Sequence, residues 1–454
     1  MAEPACFVCS HLLSTPAQSF LVQHTPRSTR PALLCTTQCA PSEEEEEAQV
    51  VTREAWREVS LSAWQQVLRE GEWEETSGRP SRLASAAAHV TEPRACLPLP
   101  DTSREQLLDA TFITDTLFVL LDAGKGGKIL RRFALSTSST ASLETLSSLR
   151  LDTLIADEAS FWRHEEEDAK EERLRCSLYI SSCKGYLCVA QRFGSLAALI
   201  DLSTPRLVRM LDRGAYHEDV SEFPAAFAEH DGETVLVSGS DWNRVDVYRA
   251  QDGALLTARE FLPANEDEPN ARPEHALDYF YGALTISPTG TWVVSSGWCW
   301  HPVGVVSCWN LARWLEQDPF ESEDGKTRRV PDSLVDDLWD RTMTFIDEDR
   351  LLVWGIFHDS FLHSPGLMIY DIAQDAVLDL ISFEGVQCRG LVGVDGAALI
   401  LDERGDVWRV NLATHRVEAH HRGPGAFRLL SRGMALCTSD GRDVLELALL
   451  GPLP

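Results

Sequence analysis

The stretch YFYGALTISPTGTWVVSSGWCWHPVGVVSCWNLARWL, from Tyr279 to Leu315, decides the fold of this chain. Turn signals separate three apolar runs, at Ala283–Ser287, Thr291–Ser295 and Val305–Leu311, and each run predicts a short strand. Ser287–Gly290 has proline second and glycine fourth, which favours a tight turn between the first two strands. A meander of three strands cannot bury both faces alone. The stretch therefore predicts neighbours of the same kind.

The third strand ends in an aromatic, a polar and an apolar residue, Trp309-Asn310-Leu311, and similar endings recur along the chain. The others are Phe133-Ala134-Leu135, Ile200-Asp201-Leu202, Tyr248-Arg249-Ala250, Tyr370-Asp371-Ile372, Val410-Asn411-Leu412 and Leu447-Ala448-Leu449. Their spacing runs from 37 residues (410 to 447) to 67 residues (133 to 200). The shortest steps match a four-stranded propeller blade of about 40–45 residues, and the longer steps add an insertion. The sequence predicts an all-β, seven-bladed β-propeller over 106–454, with six or eight blades as alternatives.

This pattern resembles a WD-repeat β-propeller, because the seven endings stand where such repeats carry Trp-Asp. No copy here has a literal Trp-Asp, and the Gly-His signature of the family is absent. The blade from Trp298 to Trp309 also resembles uncharacterised bacterial propellers of this broad type. The resemblance implies the fold and names no partner or activity.

The first 105 residues have a different composition. Residues 1–41 predict a disordered tail. Residues 42–75 predict an amphipathic α-helical extension, because Ser42 and Glu45 fit a capping box and apolar residues follow at helical spacing. Its glutamate run is a solvated first turn or a docking tail for a basic partner. Residues 76–105 read as a linker, and a strand near Ala95 to Leu99 is expected to complete the last blade. Closure of the seam by packing alone is the alternative.

The net charge of −29 restricts the partners. Binding to nucleic acid or to anionic lipid needs a cationic surface. The chain also has no apolar run long enough for a membrane helix and no basic secretory leader. We expect a cytoplasmic protein that contacts neither nucleic acid nor membrane, with solubility or a basic partner as the use of the charge.

The twelve cysteines are scattered, which favours free thiols in a reducing compartment. Cys6 and Cys9 form one close pair and Cys35 and Cys39 another, so four thiolates could bind zinc. The second spacing is loose, and cysteines carried on a tail are the alternative. We expect no metal and no cofactor.

The predicted loops differ between the two faces of the disc. In a blade of strands a to d, the a–b and c–d turns share one face. The b–c turns and the connections between blades share the other. Long loops on a rigid scaffold are where binding sites are usually built. Blades three to five place aromatic or ionisable residues in the second set of loops, which predicts one binding face made of Asp241, Trp242, Asn243, Asp278, Tyr279, Tyr281, Trp298, Trp300, His301, His358 and Asp359.

This face favours a non-catalytic scaffold that binds a protein or peptide partner, since it combines flat apolar area with polar groups. The alternative is a propeller enzyme or a small-ligand-binding protein that uses histidine and aspartate on the same face. No nucleophile elbow or H-E-x-x-H motif is present, so no catalytic residue is predicted. Single aromatics among the eleven could also serve only to pack the blades together.

Overall fold

Short apolar runs closed by tight turns form strands throughout the described chain. The computed structural model describes residues 20–24, 31–35, 49–51, 81–82, 93–100, 105–136, 141–155, 161–162, 176–261, 273–299, 303–331, 334–336, 341–357, 363–383, 385–421, 426–431, 434–438 and 445–450. Strand content dominates these ranges, as predicted.

Five strands precede the first blade: β1 (Phe20–His24), β2 (Pro31–Cys35), β3 (Gln49–Val51), β4 (Ser81–Arg82) and β5 (Ala95–Pro98). The first three form an antiparallel sheet in the order β2-β1-β3. At Gln49–Val51 the backbone is therefore a strand and not the predicted helix, and the β-branched Val50 and Val51 favour that conformation. The rest of 42–75, and the residues of 1–41 outside β1 and β2, lie outside the described residues.

The first three blades run from β6 to β16. Blade 1 contains β6 (Gln106–Ile113), β7 (Thr116–Asp122), β8 (Lys128–Ser136) and β9 (Ser142–Arg150), with a 3-10 turn at Gly124–Gly126. Blade 2 contains β10 (Cys176–Ile180), β11 (Tyr186–Gln191), β12 (Leu196–Asp201) and β13 (Arg206–Asp212). Blade 3 contains β14 (Ala225–His230), β15 (Glu233–Asp241) and β16 (Arg244–Arg249), and an isolated bridge pairs Tyr248 with Leu255.

The last four blades run from β17 to β31. Blade 4 contains β17 (Leu284–Ile286), β18 (Trp292–Cys299), β19 (Val303–Asn310), helix α1 (Leu311–Glu316) and β20 (Val335–Asp336). Blade 5 contains β21 (Met343–Phe345), β22 (Arg350–Phe357), β23 (His363–Asp371) and β24 (Ala376–Ser382), with β4 added in parallel to β24. Blade 6 contains β25 (Cys388–Val394), β26 (Ala397–Asp402), β27 (Val407–Asn411) and β28 (Arg416–His421). Blade 7 contains β29 (Ala426–Leu430), β30 (Met434–Thr438) and β31 (Leu445–Leu449).

Each neighbouring pair of blades encloses its own hydrophobic core, and seven such cores complete a ring. The first strands of successive blades contact one another, and β29 contacts β6 to close the circle. Second strands such as β7, TLFVLLD, are apolar at successive positions because they are buried on both faces. The prediction of a seven-bladed β-propeller is confirmed.

The ring is joined by a strand from the N-terminal side. β5 pairs antiparallel with β31 and supplies the fourth strand of blade 7. Leu97 lies opposite Leu447, and the backbone of Leu99 donates to the carbonyl of Leu445 at 2.8 Å. Without β5, β31 would present an unpaired edge. The strand lies where the sequence analysis expected a closing strand.

All seven recurrent endings lie at the end of the third strand of a blade. In several of them the polar residue turns the chain by accepting backbone N–H groups. Asp201 accepts from Ser203 at 2.8 Å, Asn411 from Ala413 at 3.0 Å, and Asn310 caps α1 by accepting from Arg313. The sequence analysis did not predict α1. No helix among the described residues is both long and apolar enough to cross a bilayer.

Candidate functional site

The two faces of the ring carry different connections. We call the face with the b–c turns and the connections between blades the loop face; its best described part comprises 213–224, 241–244 and 273–283. We call the face with the a–b and c–d turns the turn face, which includes Ser287–Gly290 and the turn after Asp201. The predicted binding residues belong to the loop face.

Five aromatic rings, those of Tyr216, His217, Trp242, Phe280 and Trp298, form one cluster on the loop face. Phe280 stacks on Trp298 with ring centroids 4.0 Å apart and planes within 7°. The ring centroids of Trp242 and Phe280 lie 4.6 Å apart. Those of Tyr216 and Trp242 lie 5.3 Å apart, with an angle of 70° between the ring planes. His217 meets Trp298 edge-on at 6.2 Å. We call these rings the aromatic cluster; they come from the 213–224 connection and from blades 3 and 4.

Burial divides the cluster into a base and a surface. Phe280 and Trp298 are 2% and 3% exposed, whereas Tyr216 is 49% exposed and Trp242 is half-buried. Large aromatic side chains that are held on one side and open on the other are common anchors for partner proteins. The exposed part of the cluster is therefore the area that a ligand can reach.

Two glycines allow the base to form. Phe280 pairs with Trp298 by two backbone hydrogen bonds of 2.8 and 3.1 Å. A Cβ on Gly297 would lie 2.2 Å from the Phe280 carbonyl oxygen, and one on Gly282 would lie 2.1 Å from the Ser296 carbonyl oxygen. Only glycine fits where two backbones approach this closely.

A buried arginine holds the connection that carries Tyr216. Arg213 is 3% exposed, and its guanidinium donates to four carbonyl oxygens, those of Gly194 (2.9 Å), Glu218 (2.7 Å), Ser221 (2.8 Å) and Glu222 (3.1 Å). Because a buried cation is costly unless its donors are satisfied, these bonds fix the course of the connection around it. Tyr216 thus stands on a braced loop.

A buried ionic network braces blade 3 against the chain that follows α1. Asp246 accepts from Arg244 at 2.9 Å and from Thr257 at 2.9 Å, and it also pairs with Arg259. Arg259 forms a second pair with Glu323. Burial raises the pKa of Glu323, which the positive charge of Arg259 opposes. These charged groups pair with one another inside the protein, so their role is structural.

Four of the predicted site residues have open positions on the loop face. Asp241 is exposed, and its Oδ1 accepts from the backbone N–H of Trp242 at 2.7 Å. Asn243 donates to the Leu277 carbonyl at 2.7 Å, which ties the b–c turn to the next connection. Asp278 is partly exposed beside it. The structure thus brings Asp241, Trp242 and Asn243 together with the 273–283 connection.

Three others lie below the surface. Tyr279 donates to the Val305 carbonyl at 3.0 Å, and Tyr281 donates to the Ser322 carbonyl at 2.8 Å. Burial raises the pKa of both phenols, that of Tyr279 to about 12. Tyr279, Tyr281 and Trp298 support the face from within, and a direct binding role for them stays a prediction. Trp300, His301, His358 and Asp359 lie outside the described residues.

The sequence analysis missed Tyr216 and His217. They belong to the connection between β13 and β14, the same class of connection as the one that carries Asp278. The length of this connection could have identified it, since it runs from 213 to 224. It also carries an aromatic side chain next to an imidazole. Counting every connection between blades would have included it.

One group of side chains on the turn face has the spacing of metal ligands. Nε2 of His230 lies 3.4 Å from Oε1 of Glu316 and 3.8 Å from Oδ2 of Asp231. Within the described ranges it is the one set of three histidine, cysteine or acidic residues whose ligand atoms are this close. Asp231 and Glu316 are exposed, as solvated surface carboxylates commonly are, so the group carries no assigned function.

Comparisons with known proteins add little to this geometry. No protein-family model matches the sequence, and no curated protein matches it. Among solved structures, the chain is similar to the β-propeller domain of Cps50 (Swd1) from Myceliophteria thermophila, at 10% identity and a TM-score of 0.44, over 76% of this chain and 100% of that chain. The seven sheets and their shared cores remain the basis for the propeller fold.

Proposed function

We propose that this chain is a non-catalytic protein-interaction scaffold that binds a protein or peptide partner through its loop face. One observation carries the proposal: Tyr216 is 49% exposed on top of an aromatic cluster whose base is buried. An exposed aromatic that rests on a rigid base loses little conformational entropy on binding, which favours its use as an anchor.

The chemistry of the face supports a protein partner over other classes. The net charge of −29 opposes binding to phosphate backbones and to anionic lipid. We propose a cytoplasmic setting, since the twelve cysteines are scattered along the sequence. Closeness to uncharacterised bacterial propellers stays a prediction from the sequence.

The test is affinity co-purification from native lysate with matched variants. Leu378 is 47% exposed on β24, so Leu378→Ala removes a side chain as exposed as Tyr216 from another part of the ring. We expect Tyr216→Ala and Trp242→Ala to lose a specific co-purifying protein that Leu378→Ala retains. Purified partner and chain should then reproduce the same order of affinities. Retention of every partner by both aromatic variants would contradict the proposal.

The alternative of an enzyme or a small-ligand-binding protein is tested on the same material. It depends on His301 and His358, together with aspartates of the loop face. Retention of a copurifying small molecule by wild type, and its loss in His301→Ala and His358→Ala, would favour this alternative over the scaffold.

A further inference from the structure

The surroundings of the exposed aromatics are acidic. Asp212, Asp219 and Asp241 are exposed, and Glu218 and Asp278 are partly exposed. A Cβ placed on Gly214 would lie 3.8 Å from Oδ1 of Asp241, so the b–c turn of blade 3 and the connection that carries Tyr216 lie side by side. Carboxylates from both segments therefore border the aromatic cluster.

The two described arginines that flank Tyr216 and Trp242 in the sequence, Arg213 and Arg244, are engaged with other groups. The sequence has no lysine between 205 and 283. Arg213 is buried and donates to backbone carbonyls, and Arg244 pairs with Asp246 at 2.9 Å. Among the described residues, the exposed charge beside Tyr216 and Trp242 is therefore negative.

The two accessible rings form a corner. Tyr216 and Trp242 have centroids 5.3 Å apart and planes at 70°, so the rings touch edge to face and a group on the open side of that angle can contact both. Aromatic faces attract cations, and tryptophan and tyrosine are the strongest of these partners. A corner of two such rings beside carboxylates matches a side chain that is both flat and positively charged.

In the 213–224 connection, one carboxylate oxygen has no hydrogen-bond donor among the described residues. Oε2 of Glu218 is buried, and no group in the described part of the chain donates a hydrogen bond to it. A buried acceptor without a donor costs free energy. A cationic nitrogen is the donor that a carboxylate binds most strongly.

We infer that the loop face recognises a basic segment of its protein partner and seats an arginine side chain in the corner between Tyr216 and Trp242. A guanidinium stacks on aromatic rings while its edge nitrogens remain available to carboxylates such as Asp241, which an ammonium cannot do equally well. The inference rests on the proposed function and deepens it, because it states the chemistry of the partner.

The probe is a fluorescent peptide of arginine residues spaced by glycine and serine, acetylated and amidated at its ends. The reference peptide carries citrulline, which keeps the shape and loses the charge. Fluorescence polarisation with the full chain should give affinity about tenfold tighter for the arginine peptide. The difference should shrink at high ionic strength, since exposed charges are screened.

Variants separate a specific site from general attraction to an acidic protein. Asp241→Asn keeps the oxygen that accepts from Trp242 and removes only the charge. Asp231→Asn removes an exposed charge from the turn face. We expect Tyr216→Ala, Trp242→Ala and Asp241→Asn each to weaken the arginine peptide about fivefold or more, and Asp231→Asn and Leu378→Ala to leave it unchanged. Thermal unfolding checks that each variant is folded.

The possible outcomes distinguish failure of the arginine site from failure of the scaffold function. Equal binding of the arginine and citrulline peptides, or equal weakening by Asp231→Asn and Asp241→Asn, overturns the inference. If Tyr216→Ala loses its native partner while the arginine peptide fails to bind wild type, the scaffold function stands and the arginine site falls. If the arginine peptide binds as expected and the native partner is indifferent to Tyr216→Ala, the scaffold proposal falls instead.

Discussion

The turn face and the loop face hold their connections by different means. On the turn face, recurrent strand endings hold their turns with a side chain that accepts from backbone two or three residues away, as at Asp201 with Ser203 and at Asp371 with Gln374. On the loop face, distant parts of the chain hold the connections, as where Arg213 braces 214–223 and Phe280 pairs with Trp298. Local turns repeat from blade to blade, and the distant braces do not. The first set builds the ring, and the second set shapes one surface on it.

The largest effect should come from Gly297→Ala on the loop face. Its Cβ would lie 2.2 Å from the Phe280 carbonyl oxygen, so backbone must move, and we expect a loss of about 3 kcal/mol or more in the free energy of unfolding. Gly396→Ala is the control on the turn face. Nothing lies within 4 Å of its added Cβ, and its φ of +73° alone should cost about 1 kcal/mol. Urea unfolding measures both. Equal losses would remove the distinction between the faces.

Arg213→Lys should come next. Lysine keeps the charge and loses the fork of donors that reaches four carbonyls, so we expect a loss of about 2–3 kcal/mol in the free energy of unfolding and faster amide exchange across 214–223. Arg249→Lys, in an exposed pair with Glu233 on the turn face, should change neither quantity measurably. Unchanged exchange in Arg213→Lys would show that the connection is held by other contacts.

Glu348 offers a pH-dependent test of the turn face. Burial opposes ionisation, but hydrogen bonds from Ser287 and Thr289 lower the pKa of Glu348 to about 2, from a normal value of 4.5. A lowered pKa stabilises the fold above pH 4.5 and loses that contribution as the pH falls towards 2. Glu348→Gln should cost about 1–2 kcal/mol at neutral pH after allowance for solvent screening. Urea unfolding of the wild type and of Glu348→Gln should show that their difference in unfolding free energy becomes smaller as the pH falls towards about 2, the pKa of Glu348 in the folded protein. A difference in unfolding free energy that does not change with pH would mean that the shape of the Glu348 side chain stabilises the fold and its charge does not.

The smallest effect on stability should belong to Tyr216→Ala. The side chain is 49% exposed, so its removal should cost no more than about 1 kcal/mol, similar to Leu378→Ala at 47% exposure. Differential scanning calorimetry of the two variants tests this expectation. A much larger loss in Tyr216→Ala would identify that ring as part of the fold and would weaken its assignment to binding.

The sequence predicted most of the fold because local rules produce it. The polar residues at 201, 310, 371 and 411 turn the chain with their own side chains, and those rules are visible in a few consecutive letters. The third strands of these four blades were therefore found from local sequence. Helix α1 was missed because the Asn310 cap follows directly on a strand, where the ending pattern masked it.

The candidate site was predicted less well, because it depends on contacts distant in sequence. Trp242 and Asp241 could be placed on the loop face from strand order alone. The partnership of Tyr216 with Trp242 and Phe280 required knowing how the 213–224 connection folds over Arg213. Likewise, the burial of Tyr279 and Tyr281 follows from bonds to Val305 and Ser322, which no local pattern encodes.

The seam at β5 and β31 has a consequence for how the protein is made. β5 leaves the ribosome more than three hundred residues before β31, so it must wait for its partner strand until β31 has been made. The ring can therefore close only after β31 has been made, when it pairs with the earlier strand β5. A nascent chain stalled before residue 445 would lack β31, so β5 would keep an unpaired edge that can pair with other chains.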